Sequence, residues 1–109
     1  MDLNEYQTKS KETALYPNVG ENFVYPTLGL AGEAGEVADK VKKVIRDKNG
    51  VFGIEDKRQI KLELGDVLWY IAQLSSEFGF NLNDVASDNL AKLSSRSNRG
   101  QISGSGDNR

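Results

Sequence analysis

The chain has 109 residues, 38% of them hydrophobic and 28% charged, and a net charge of −2. That length holds one domain around one core, and the near balance of charge argues against a polymeric nucleic acid, which needs concentrated basic surface. Cysteine and histidine are both absent, which excludes thiolate nucleophiles, imidazole bases, disulfides and Cys/His zinc sites.

From Leu3 to about Leu15, Leu3, Tyr6, Ala14 and Leu15 recur among polar residues with Asp2, Asn4 or Glu5 available as caps, which predicts a short amphipathic helix. Tyr16-Pro17-Asn18-Val19-Gly20 interrupts it. Pro26 suits the first turn of a second helix, which runs to about Asp47 with Leu30, Ala34, Val37, Ala38, Val41, Val44 and Ile45 at helical spacing. Lys48-Asn49-Gly50 stops it, and Val51 to Ile54, with Gly53 inside, reads as a loop able to swing.

A third helix is expected from about Glu55 to Phe78, with Ile60, Leu64, Val67, Leu68, Ile71, Leu74 and Phe78 on its main apolar face. Leu62 and Trp69 fall roughly opposite, and a helix apolar on two sides is buried on two sides. In so small a domain the second side is expected to meet another copy of the chain, with Trp69 at that contact, the alternative being that Trp69 stacks on a nucleobase. Gly79 ends this helix, and Asn81 or Asn83 can cap a fourth from about Asp84 to Ser95. Leu82, Ala86, Leu90 and Leu93 form its core stripe, while Val85, Asn89, Lys92 and Arg96 share an adjacent side. From Ser94 onward the composition is that of a flexible tail. The expected architecture is therefore all-α, an oligomeric four-helix bundle over residues 1–98 followed by a Gly/Ser/Arg-rich tail over 99–109. No apolar run approaches the ~20 residues that span a bilayer, and Met1 to Ser10 has no signal-peptide pattern, so a cytoplasmic protein without membrane contact is expected.

The chemistry concentrates in Leu28 to Lys43, LGLAGEAGEVADKVKK, and in Leu62 to Asp66, LELGD. Each stretch sets two acids three residues apart, Glu33 with Glu36 and Glu63 with Asp66, and such pairs share a helix face. Side by side, the two helices would gather four carboxylates that repel one another unless some ionise poorly or a cation sits among them. A divalent metal answers that problem. Gly29, Gly32, Gly35 and Gly65 lie beside the acids although each helix-interior glycine is unfavourable by about 1 kcal/mol, which points to close approach by a helix or a ligand. A single such acid pair is ordinarily a solvated surface feature, and Lys40, four residues after Glu36, reads equally as its ion-pair partner.

LGLAGEAGEVADKVKK, then LELGDVLWYIAQL and NLAKL, resembles the MazG family of nucleoside triphosphate pyrophosphohydrolases, all-α enzymes with an EExxE…ExxD pattern. The likeness extends to the closing GSGDNR, which is similar to the ending of short phage and bacterial MazG-like proteins. It implies that Glu33, Glu36, Glu63 and Asp66 are Mg²⁺ ligands, with Mn²⁺ an alternative; the second apolar side of the third helix separately predicts a homodimer or homotetramer. The first acid of the pattern is Gly32 here, and Asp39 is the nearest substitute. Asn89 and Lys92 match polar positions that would contact substrate, with Arg96 beside them. The implied reaction takes a (deoxy)nucleoside triphosphate to the monophosphate and pyrophosphate through water attack on the α-phosphorus. Glu33 and Glu36 are the candidates for accepting the proton, and Lys92, Arg96, Arg99, Arg109 and the tail glycines for meeting the phosphates. Rival readings are a hydrolase restricted to dUTP or damaged nucleotides, and a non-catalytic helical module whose acids bind cations.

Overall fold

A computed structural model describes all 109 residues. It is entirely helical: α1 (Leu3–Ser10), a 3₁₀ turn (Lys11–Thr13), α2 (Val24–Lys48), α3 (Ile54–Glu77) and α4 (Leu82–Asn98). Asp2 caps α1 by accepting from the Glu5 N–H at 2.7 Å. This helix stops well short of Leu15 because the chain tightens into the 3₁₀ turn, where the Ser10 hydroxyl donates to the Gln7 carbonyl.

Long helices α2 and α3 form an antiparallel hairpin, as shown by Gly29 lying against Tyr70 near one end and Lys48 pairing with Asp56 at 2.6 Å near the other. Asn49 in the left-handed conformation ends α2, and the Gly50 N–H reaches back to the Val44 carbonyl. Asp56 accepts from the Gly53 N–H at 2.9 Å while holding Lys48. The loop expected over Val51 to Ile54 ends at Gly53, since α3 begins at Ile54. The α2 positions drawn inward are Leu30, Glu33, Val37, Lys40, Val41 and Val44, so Glu33 sits within the packed stripe and Glu36 outside it. On α3 the inward row includes Gln59, Ile60, Glu63, Val67, Tyr70 and Leu74, whereas Leu64 and Leu68 stay exposed.

The second side of α3 is covered in part by its own chain. Trp69 turns its indole N–H to Thr13 Oγ1 at 3.0 Å and to the Ser10 carbonyl at 3.2 Å, so α1 and the 3₁₀ turn of the same chain cover that position. Leu62, nearer the hairpin turn, remains 52% exposed. Beneath α1 runs a buried polar network. Gln7 donates to Ser76 Oγ and the Phe80 carbonyl and accepts from the Leu82 N–H at 2.8 Å, while Gln73 donates to Ser10 Oγ. Asn4 accepts from the Asn83 N–H at 3.0 Å. The amino end of α4 is thus capped by side chains of α1, and the cap expected from Asn81 or Asn83 makes no side-chain bond there. Glu77 secures the connection between α1 and α2 by accepting from Tyr16 Oη, the Gly20 N–H and the Asn22 N–H. No buried side-chain nitrogen or oxygen lacks a partner.

Candidate metal centre

The hairpin brings three of the four expected acids together. Carboxylate oxygens of Glu33, Glu63 and Asp66 lie within 4.8 Å of one another. They converge because Glu33 belongs to the packed face of α2 while Glu63 and Asp66 stand one turn apart at the same level of α3. Burial, then a hydrogen bond with Glu63, then the charges of Asp66, Glu63 and Glu36 push the Glu33 carboxyl above its ordinary range. Glu36 is near enough to be felt electrostatically, yet it is exposed and outside the group of three.

One cation stands at the group's edge: Lys40 Nζ is 3.7 Å from Glu63 Oε1. Its partner is therefore across the hairpin, and no ion pair joins it to Glu36 as the spacing suggested. Asp39 does not take the place of the missing first acid. It is clamped by Lys43 at 2.7 Å and Lys42 at 3.0 Å, which hold its carboxyl down to about 2.

Two tyrosines flank the acids. Tyr70 lies over Gly29, where a Cβ would fall inside its ring, and its phenol is raised by burial and by Tyr25, Glu33 and Asp66. Tyr6 approaches from α1, its phenol raised by burial and then by the Asp66 charge. By its spacing Tyr6 is only an apolar contact of α1, and nothing local announces a partner sixty residues away. Of the four helix glycines only Gly29 is crowded; Gly32, Gly35 and Gly65 face nothing within this chain.

The remaining expected site residues lie on α4. Asn89 and Lys92 are exposed and line an open groove with Phe80, Asp84, Val85 and Asp88, so Asn89 is not a buried link between helices. Arg96 is buried, and both it and Lys92 bind Asp107 in the tail. No hydrogen bond or ion pair of these three reaches the acids.

Donors of oxygen only, drawn from two helices and crowded until the ionisation of Glu33 suffers, suit a hard divalent cation. Fold and site together define an all-α domain built around a carboxylate centre. A family model described as the MazG nucleotide pyrophosphohydrolase domain matches residues 26–100, which take in nearly all of α2 and the whole of α3 and α4, and the chain belongs to that family. It is 49% identical to the Gene 37 protein of Mycobacterium phage L5, with both chains covered in full. No solved structure matches it. No helix is long and apolar enough to cross a membrane.

Proposed function

We propose that this protein hydrolyses (deoxy)nucleoside triphosphates to the monophosphate and pyrophosphate in a Mg²⁺-dependent reaction, with Mn²⁺ able to substitute. The observation that carries the reading is the convergence of Glu33, Glu63 and Asp66 within 4.8 Å. Together with Glu36, one turn from Glu33, they are the proposed ligands. When bound, the cation supplies neutralising charge for the polyphosphate and lowers the pKa of nearby water.

The residues have separable duties. Water oxygen bonds to the α-phosphorus, the bond from that phosphorus to the oxygen bridging to the β-phosphorus breaks, and pyrophosphate leaves with that oxygen. Glu33 or Glu36 takes the proton from the water. Glu33 is suited to this because burial, the first cause of its raised proton affinity, persists when the repulsion among the acids is relieved. Lys40 holds Glu63 in register. Asn89, Lys92 and Arg96 are the proposed substrate contacts, the two cations answering charge on the β- and γ-phosphates. The working form is a homodimer or homotetramer, which large apolar exposure supports: Leu28 and Leu90 are each 68% exposed.

Incubation with each natural and damaged (deoxy)nucleoside triphosphate and Mg²⁺ tests the reading. Monophosphate and pyrophosphate should form in equal amounts, and chelation should stop the reaction. Release of orthophosphate would overturn attack at the α-phosphorus. No turnover across the panel by folded, metal-loaded protein would support a non-catalytic module instead.

A further inference from the structure

Arg96 is the one charged side chain buried in this chain, with 4% of its surface exposed. A cation so enclosed requires an anion against it. Asp107 provides one: Arg96 Nη2 donates to its main-chain carbonyl at 2.6 Å and to its Oδ1 at 3.2 Å. Lys92 Nζ reaches the same Oδ1 at 3.2 Å. The Asp107 side chain is itself 82% exposed, so the anion sits on the open side of the pair and the cations on the fixed side.

The tail is shaped to deliver that carboxylate. Gly100, Gly104 and Gly106 take φ values of +69°, +123° and +86°, turning the chain back on α4. Arg109 donates to the carbonyls of Gln101, Ile102 and Gly106, and Arg99 donates to the carbonyl of Arg109 at 2.7 Å. Residues expected to be a flexible tail therefore close into a small folded loop. It is bonded to α4 through Asp107, through Arg99 and through the Gln101 N–H, which donates to the Arg96 carbonyl at 2.6 Å, with Gly100 at the joint.

We propose that Lys92 and Arg96 form a polyphosphate site and that Asp107 is its built-in competitor, occupying the two cations until a ligand carrying terminal phosphates displaces the tail. A carboxylate brings one charge and two oxygens, whereas a terminal phosphate brings more charge and three acceptor oxygens, so the incoming group satisfies both cations better than the one it replaces. Lys92 and then Arg96 hold the Asp107 carboxyl below its ordinary range. This inference rests on the reading of Lys92 and Arg96 as substrate contacts.

Inorganic tripolyphosphate is the probe, titrated calorimetrically into the full chain at fixed ionic strength without divalent cation, so that no hydrolysis intervenes. Asp107→Asn should bind it on the order of tenfold more tightly than wild type, about the value of one lost charge-assisted contact. Lys92→Gln should bind it more weakly. Hydrogen exchange on the wild-type chain gives a readout independent of any variant's folding, and saturating tripolyphosphate should speed exchange of the amides from Gln101 to Arg109. Equal or weaker binding by Asp107→Asn, or slower tail exchange in wild type, would overturn the proposal and leave Asp107 as a fixed brace of α4. Tail release in a chain that hydrolyses no nucleotide would overturn the enzyme reading and keep this one; turnover with a tail that never opens would do the reverse.

Discussion

Glu33 is where sequence and chemistry meet most directly. Counting 100° per residue along α2 sets it at the margin of the apolar stripe, and the structure draws it into the packed face with Glu63 and Asp66. Its raised pKa means that folding favours the protonated form, so its contribution is fully favourable below the unfolded pKa and is lost as pH rises through the folded value. Glu33→Gln removes that dependence. Without metal at neutral pH, the variant should be more stable than wild type because it relieves the repulsion among the acids, with turnover abolished. The gap should narrow on acidification, as melting curves across pH will show; a variant less stable than wild type would remove Glu33 from the repulsive group. Gly29 behaves oppositely to an ordinary helix glycine. Alanine there usually helps a helix, but here its Cβ would enter the Tyr70 ring, so Gly29→Ala should destabilise by about 1–3 kcal/mol. Chemical denaturation of Gly29→Ala with and without Tyr70→Leu checks it, since the second change should recover part of the loss.

Helix boundaries were legible where the signal is local and illegible where it is tertiary. Asp2, Asn49 with Gly50, and Gly79 mark ends that capping and turn chemistry foretell. The start of α4 lies at Leu82 because Gln7 and Asn4, some 75 and 79 residues earlier, receive its first N–H groups. No rule of local spacing reaches that far. Gln7→Leu should therefore destabilise the chain by about 2–4 kcal/mol, by stranding the Leu82 N–H together with the acceptors of Ser76 and Phe80, and should loosen α4 first, seen as faster exchange at its amino end. Glu77 gives a pH handle on the loop between α1 and α2. Burial raises its pKa, but bonds from Tyr16, Gly20 and Asn22 together outweigh burial and leave it lowered. Its stabilising contribution is complete above its ordinary value of 4.5 and is lost as pH falls through the depressed one. The stability difference between wild type and Glu77→Gln should accordingly shrink below pH 4.5; a difference unchanged to acid pH would mean the carboxylate charge is not what holds the loop.

At the scale of the molecule the single chain is open. Its radius of gyration is 16.7 Å, where a compact fold of this length has about 13 Å. Side chains of α1 bond α4 at its amino end, and the tail bonds it near its carboxyl end. Leu64 at 52% exposure and Leu90 at 68% belong to faces that sequence periodicity assigned to a core. Amphipathic periodicity reports that a face will be buried and is silent about which chain buries it. Trp69 is covered by its own α1 and 3₁₀ turn, and composition cannot register the hydrogen bonds with which Arg109 closes the tail. Light scattering coupled to size exclusion should return a dimer or tetramer, and Leu64→Lys should shift it toward monomer. A wild-type monomer at micromolar concentration would mean those faces stay wet.

The proposed activity requires the acids of α2 and α3 to share one cation. Titration of Mn²⁺ into wild type, Glu63→Gln and Asp66→Asn, followed by the loss of the free ion's paramagnetic signal, tests that directly. Saturable binding by wild type and its loss by at least tenfold in each variant is the predicted result, on the order of one or more charged ligands removed. Equal Mn²⁺ binding in all three proteins would contradict it.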